Sequence, residues 1–248
     1  MTLPDMNKTG PYEFCIIVPV YNEEGNILRL EEELSDYIHT SSVKTCVLLI
    51  DDGSKDNSRN LIKEISNRNE SFFYLLFDKN AGLSAAIKAG IDMAGSPYIG
   101  YMDADLQTVP KDFEQLLPFR HNYELVTGIR TKRKDKFGKR ISSKIANKFR
   151  RMMTKDGAAD TGCPLKIIRN DNAKRIPFFK GMHRFIPALI LLQNGKVKQI
   201  PVSHFERTAG KSKFHVWNRL TGPLIDCFAY RWMKKRYINY KIESDNIS

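Results

Sequence analysis

The sequence predicts an α/β protein built on a mostly parallel sheet. Two observations predict it: short, wholly apolar runs alternate with amphipathic helical periods, and each apolar run is followed by a polar, acidic loop. The 248 residues suffice for one domain with a sizeable core, and 42% hydrophobic content is that of a folded chain.

Four runs read as strands buried on both faces: Phe14–Val18, Thr45–Ile50, Phe72–Phe77 and Tyr98–Met102. Between them, Ile27, Leu30, Leu34 and Ile38 fall on one helical stripe, and Leu61, Ile62 and Ile65 on a second. A third stripe holds Leu83, Ala86, Ile87, Gly90, Ile91 and Ala94. Further on, Glu124–Thr127 and Val197–Val202 read as strands. Phe137, Ile141, Ile145, Phe149 and Met152 mark a long amphipathic helix whose apolar stripe reads as core rather than lipid contact. The simplest division is a catalytic-type domain over residues 1–215 and a basic, aromatic, helical C-terminal region over 216–248. That tail sets six aromatic residues, Trp217 to Tyr240, among Arg231, Lys234, Lys235 and Arg236, which suits either an interfacial helix or a helix packed with its charged face outward.

The formal charge of +12 calls for an anionic partner: nucleic acid, a phosphorylated substrate or an acidic membrane surface. Residues 130–155 carry twelve Lys/Arg against one Asp, nearly the whole excess. Cys15, Cys46, Cys163 and Cys227 have no CxxC spacing, and the first two sit within apolar runs, so they read as buried thiols of a reducing compartment. The first fourteen residues hold no apolar core of a signal peptide, and no stretch approaches the roughly 18 apolar residues that span a bilayer. The expectation is a cytoplasmic protein, peripheral at the inner face of the membrane.

In sheets of this kind ligands bind beyond the carboxyl ends of the strands, so the loops after the apolar runs bear the chemistry. They are Pro19-Val20-Tyr21-Asn22-Glu23-Glu24, Asp51-Asp52-Gly53-Ser54-Lys55-Asp56 and Asp103-Ala104-Asp105-Leu106-Gln107. Any one could be a turn and a helix cap, and Asp56 reads as a cap. Three acidic loops at one edge repel unless a cation offsets them. Asp103 and Asp105 could present oxygens to one Mg2+ or Mn2+, which would bridge a diphosphate. No GxGxxG follows any strand, which excludes a dinucleotide-binding dehydrogenase. A nucleic-acid partner is disfavoured, because the acidic loops would face its backbone.

The motifs VPVYNEE, DDGSKD, NAGLSAAIKAG, MDADLQ, TGIR, DTGCPLK, GMHRFIPAL and HFERTAGKSKF occur in this order over residues 14–214. In these the chain resembles the dolichol-phosphate mannose synthase branch of family-2 glycosyltransferases and its bacterial polyprenyl-phosphate relatives. The resemblance implies a GT-A fold, inverting transfer from a nucleotide-sugar and a divalent metal. Pro19, Tyr21, Glu23, Ile50 and Asp52 would hold the nucleoside. Asp103, Ala104 and Asp105 would face the metal and diphosphate, with Gln107 beside the metal and sugar. Arg130, Arg207 and Lys213 would contact phosphates from the other side, the last two on a closing loop. Arg130 with Lys139 or Arg140 and Ser143 would cradle the phosphate of a polyprenyl acceptor, undecaprenyl or dolichyl. A phosphate monoester, with second pKa about 6, is largely dianionic at neutral pH and needs cations more than a base. A glycan hydroxyl acceptor would instead need a carboxylate, for which Asp160 is the best placed. His183 reads as closing a hydrogen-bond network rather than as a base. Family members often continue into transmembrane helices where the tail lies, so attachment here would come from the tail itself or from a separate membrane protein.

Overall fold

The computed structural model describes residues 8–131, 148–205, 221–240 and 243. Seven strands form one sheet in the order β3-β2-β1-β4-β6-β5-β7. They are β1 (Phe14–Val20), β2 (Thr45–Asp51), β3 (Phe72–Leu76), β4 (Tyr98–Tyr101), β5 (Leu125–Arg130), β6 (Lys166–Arg169) and β7 (Val197–Val202). All neighbours pair in parallel except β6, which runs antiparallel to both β4 and β5. The predicted mostly parallel α/β sheet is therefore present.

Alternation along β1 explains why its apolar run is continuous. Phe14, Ile16, Val18 and Val20 enter a core on one side, and Cys15 and Ile17 enter the core on the other. The first side is covered by α1 (Glu24–Thr40), α2 (Ser58–Arg68) and α4 (Phe113–Leu116), the last set between short 3₁₀ turns. Ile27, Leu30 and Leu34 of α1 are buried as their spacing predicts, while Ile38 at the helix end is half-buried. The second side is covered by α3 (Leu83–Met93), α5 (Asn170–Lys174), α6 (Ile186–Leu192) and α7 (Thr221–Arg236). Gly90 lets α3 lie close to β1: a Cβ there would meet the Ile17 side chain at 2.6 Å. Cys227 and Tyr230 of α7 join this same core, and the Tyr230 hydroxyl donates to the Ala188 carbonyl at 3.2 Å. All four cysteines are buried free thiols.

Two expectations need correction, and two elements had no assignment in the sequence. β3 is not buried on both faces: only Phe72 is buried, and Tyr74 is exposed, because β3 is an edge strand. The strand β6 was not foreseen, since four residues reading KIIR offer little run to detect, and its lysine points into the protein. The apolar stretch after Phe185, unassigned in sequence, forms α6. Residues 148–154 are helical, as the basic amphipathic pattern predicts, but Met152 is exposed while Arg150 and Met153 are buried. The earlier part of that predicted helix lies outside the described residues.

Replacing Leu34, fully buried in α1, by Ala should cost about 2–5 kcal/mol of stability. Leu28→Ala on the exposed face of the same helix should change it by less than about 0.5 kcal/mol. Urea unfolding of both variants checks this, and equal losses would contradict the orientation of α1.

Candidate functional site

The register of the sheet brings three polar loops together. Val20 of β1 lies opposite Asp51 of β2, so these strands end together, while β4 ends at Tyr101 opposite Ile17 and its loop runs on beside the end of β1. The Asp52 amide donates to the Val20 carbonyl at 2.8 Å, and the Met102 amide to Ile17 at 3.2 Å. The first two loops are then stitched together. The Asn22 amide donates to Ser54 Oγ at 2.9 Å, and Asn22 Oδ1 accepts from the Lys55 amide at 2.7 Å. The Glu23 amide donates to Ser58 Oγ at 2.9 Å. Asp56 Oδ1 accepts from the Ser58 amide at 3.0 Å, so it holds a first-turn donor of α2 as its sequence position suggests.

Left-handed backbone concentrates at this edge. Asn22 (φ 50°), Gly53 (φ 71°), Gly82 (φ 94°) and Leu106 (φ 53°) occupy the four loops beside it. A left-handed leucine is uncommon and is held here by its surroundings, since Leu106 is buried. At Gly53 a Cβ would meet the backbone of Lys79 at 2.4 Å, so this loop packs directly on the one before α3.

The carboxylates differ in what they touch. Asp51 is buried and paired with Arg59 at 2.8 Å, and Arg59 also donates to the Phe77 carbonyl. Asp52 accepts from the amides of Ala81 (2.7 Å) and Gly82 (2.9 Å) and from Asn80 Nδ2 (2.9 Å). It thereby fixes the loop that starts α3, and its burial, partly offset by those amides, raises its pKa. Asp103 Oδ1 accepts from the Tyr101 hydroxyl at 2.7 Å. Burial and the neighbouring Asp105 charge push Asp103 upward, while the Tyr101 bond, Lys166 and Arg130 pull it down. Asp105 Oδ1 accepts from the Gln107 amide at 3.2 Å.

Pro19, Tyr21 and Glu23 stand half-buried at this edge, with Asp103, Ala104, Asp105 and Gln107 on the β4 side. Ile50 is different: its side chain lies wholly in the core, so only its main chain could meet a nucleoside. Gln107 bridges to the end of β7. Its carbonyl accepts from the Phe205 amide at 2.9 Å and interacts with His204 Nδ1 at 3.2 Å. Arg207, Lys213, Lys139, Arg140 and Ser143 lie outside the described residues. Arg130, at the end of β5, makes a bidentate pair with Asp160 (2.8 and 2.9 Å). An acceptor reading of Arg130 must accommodate that pair, and Asp160 has both oxygens committed to it.

One group escaped the sequence reading. Lys166 is 1% exposed, with Nζ donating to the Cys163 carbonyl and lying 5.7 Å from the Tyr101 ring. It sits in register between Tyr101 and Thr127. Burial lowers its pKa, and Cys163, Asp160 and Asp103 oppose that. Its only sequence signal was a lysine opening an apolar run. On the helix side of the same edge, His183 Nδ1 bonds Ser84 Oγ at 3.0 Å, and that oxygen accepts from the Gly181 amide at 2.9 Å. His183 thus closes a hydrogen-bond network at the start of α3, and burial, with Arg184 and Lys166 nearby, pushes its pKa down to about 3.

A mostly parallel sheet carries three acidic loops beyond its strand ends, two of them hydrogen-bonded to each other, an arrangement suited to a phosphorylated ligand and a cation. The sequence pattern of the family described as Glycosyl transferase family 2 matches residues 15–176, and the chain belongs to that family. It is 32% identical over 210 residues to dodecaprenyl-phosphate galacturonate synthase of Rhizobium johnstonii, across 82% of this chain and 62% of that protein. The chain thus spans less than two thirds of that relative. The fold is shared with mannosyl-3-phosphoglycerate synthase of Rubrobacter xylanophilus (TM-score 0.70, 12% identity, 96% of this chain and 79% of that one). It is shared too with glucosyl-3-phosphoglycerate synthase of Mycobacterium tuberculosis bound to Mn2+, UDP-glucose and phosphoglyceric acid (TM-score 0.65, 11% identity, 94% and 83%). A third likeness is a mannosyltransferase of Pyrobaculum calidifontis with GDP-Man and Mn2+ (TM-score 0.61, 19% identity, 88% and 63%). The chain thus carries a family-2 glycosyltransferase domain with the GT-A fold.

The buried neutral His183 gives a stability prediction. Unfolded, the imidazole takes a proton below about pH 6.5, whereas the folded protein resists until about 3. Stability should therefore fall as pH drops through that window, by up to about 1.4 kcal/mol per unit. Urea midpoints at pH 7.5 and 5.0 should differ less in His183→Gln than in the parent, and an unchanged difference would refute the assignment.

Proposed function

We propose that the protein transfers a sugar, with inversion, from a UDP- or GDP-hexose to a polyprenyl phosphate. The observation that carries the donor half is that the Asp52 and Asp103–Asp105 loops leave β2 and β4, the two strands that flank β1, toward the same edge of the sheet. For the acceptor half, support comes from the relative named for dodecaprenyl-phosphate galacturonate synthesis and from the positive charge of residues 130–155.

The residues fit a divalent metal. Asp103 and Asp105 offer hard carboxylate oxygens. Among the described residues no cluster of three or more His, Cys, Asp or Glu could hold an ion by itself. Two carboxylates from the chain leave the remaining positions to water and to the diphosphate of a donor, as Mg2+ is usually bound. When bound, Mg2+ or Mn2+ would neutralise charge that develops on the departing diphosphate. The chain's own part is positional. Asp103 is oriented by Tyr101, and Asp105 by the amide of Gln107. Pro19, Tyr21, Glu23, the main chain of Ile50 and the Asp52 loop would frame the nucleoside. Gln107 anchors Phe205, where the segment bearing Arg207 and Lys213 begins, and those cations would oppose the leaving phosphates. Arg130, Lys139, Arg140 and Ser143 would position the acceptor phosphate.

A hydroxyl acceptor attacking with inversion requires a base to remove its proton. Asp160 is poorly suited, because Arg130 holds both of its oxygens. The residues at this edge thus favour a nucleophile that arrives already ionised.

Asp103→Asn and Asp105→Asn should each lower turnover by about 100-fold or more with the fold intact. The assay offers UDP- and GDP-sugars with Mn2+ or Mg2+ and undecaprenyl phosphate, and follows nucleoside diphosphate release. Release supported by phosphoglyceric acid or a glycan, but never by the polyprenyl phosphate, would sink the acceptor reading.

A further inference from the structure

The helix α7 and its neighbour, residues 148–154, present two different faces. Inward, α7 buries Cys227 and Tyr230, the latter against α6, while the Phe228 ring lies 6.4 Å from Phe149 of the neighbouring helix, centroid to centroid. Outward, Leu224, Phe228 and Trp232 recur every four residues with Ile225 beside them, and all four are exposed. Ile225, Phe228 and Trp232 are 68%, 62% and 63% exposed, and Met152 on the adjacent helix is 61% exposed. A row of large apolar side chains in water at helical spacing is unusual for a surface facing only solvent.

The charges around this row have one sign. Lys148, Arg151 and Lys155 are exposed on the first helix and just past it, as are Arg231, Lys234, Lys235 and Arg236 on α7. The acids nearby are turned away. Asp156 is buried against Arg150, and Asp226 lies half-buried beside Gly181. Arg236 stacks over the Trp232 ring at 5.5 Å. Apolar and aromatic side chains fringed by cations alone match a surface that offers both hydrocarbon and negative charge. A second copy of this patch would meet it with like charge. No helix among the described residues is long and apolar enough to cross a membrane, so contact through this face would lie in the plane of the interface.

We propose that the outer face of α7, with Met152 and the cations beside it, docks on the surface of a bilayer containing anionic phospholipid. This deepens the lipid-acceptor reading and rests on it for its purpose. The position agrees with that purpose. Asp226 near the start of α7 lies beside Gly181, whose amide binds Ser84, two residues beyond the Gly82 amide held by Asp52. Docking would set the headgroup level beside the candidate site.

The test is co-flotation of the full chain with vesicles of phosphatidylcholine alone or with phosphatidylglycerol, none containing polyprenyl phosphate. Binding should require the anionic lipid and weaken with salt. It should fall at least tenfold in Ile225→Ser/Trp232→Ser and in Lys234→Glu/Lys235→Glu, while both variants keep the parent's turnover on detergent-dispersed acceptor and its circular dichroism. Asp103→Asn should bind vesicles as the parent does, so loss of transfer and loss of docking separate. Absence of binding to anionic vesicles, or equal binding by the parent and both double variants, overturns the proposal. So does a concentration-dependent dimer in sedimentation that the Ile225/Trp232 variant abolishes, since the face would then serve a second copy.

Discussion

The parallel register of β2, β1 and β4 is the constraint on which the rest of the molecule depends. It places carboxylates from separate loops at one edge, where like charges in a poorly hydrated setting oppose one another. The fold answers each carboxylate differently. Asp51 receives a guanidinium, Asp52 receives two amides and an amide side chain, and Asp103 receives a tyrosine hydroxyl with a buried lysine behind it. Asp51 and Asp52 are thereby turned into structural joints. Asp103 and Asp105, with backbone and hydroxyl donors, keep a geometry that can also serve a cation. The division of labour follows from which neighbour each strand end meets.

Much of this arrangement was legible in the sequence, for a physical reason. Strands buried on both faces must be apolar throughout, so Phe14–Val20, Thr45–Asp51 and Tyr98–Tyr101 announce themselves, and the polar loops after them stand out by contrast. Helix α1 was visible because its buried residues recur at the helical period. The edge strand β3 looked the same as its neighbours in sequence, since nothing local says which strand ends a sheet. Strand β6 was hidden because its burial depends on partners over sixty residues away on one side and about forty on the other. The roles of Asp52 and Asp160 were hidden likewise. A motif shows that a carboxylate is present, but not that Ala81, Gly82 or Arg130 has already claimed its oxygens. The basic tail was read as either packed or interfacial. The structure shows one packed face, and a second that is apolar and exposed.

Lys166 ties these points together. A fully buried ammonium is costly unless something nearby opposes its desolvation. Here the Cys163 carbonyl accepts from it, the Tyr101 ring lies 5.7 Å away, and Asp160 and Asp103 favour its charge. The same ammonium favours the ionised form of Asp103. Tyr101 touches both, by its ring and by its hydroxyl, so the strand pairing of β4 with β6 couples the acidic loop to the DTGCPLK segment. The sequence separates these groups by about sixty residues, and only the antiparallel insertion of β6 makes them neighbours.

This bears on the chemistry that the edge can support. A hydroxyl nucleophile needs a carboxylate with a free lone pair and an affinity for protons near the working pH. The second half of the sheet supplies the opposite. Asp160 is held through both oxygens by a guanidinium, and His183 is held neutral with a proton affinity far below that of an ordinary imidazole. What the described part of the region has is positive charge: Arg130 and Lys166 both favour the ionised form of Asp103. Such a site is badly equipped to remove a proton and well equipped to hold an anion in place. A phosphate monoester asks only for the second. The electrostatics of the described second half thus fit the ionised acceptor proposed above better than a hydroxyl.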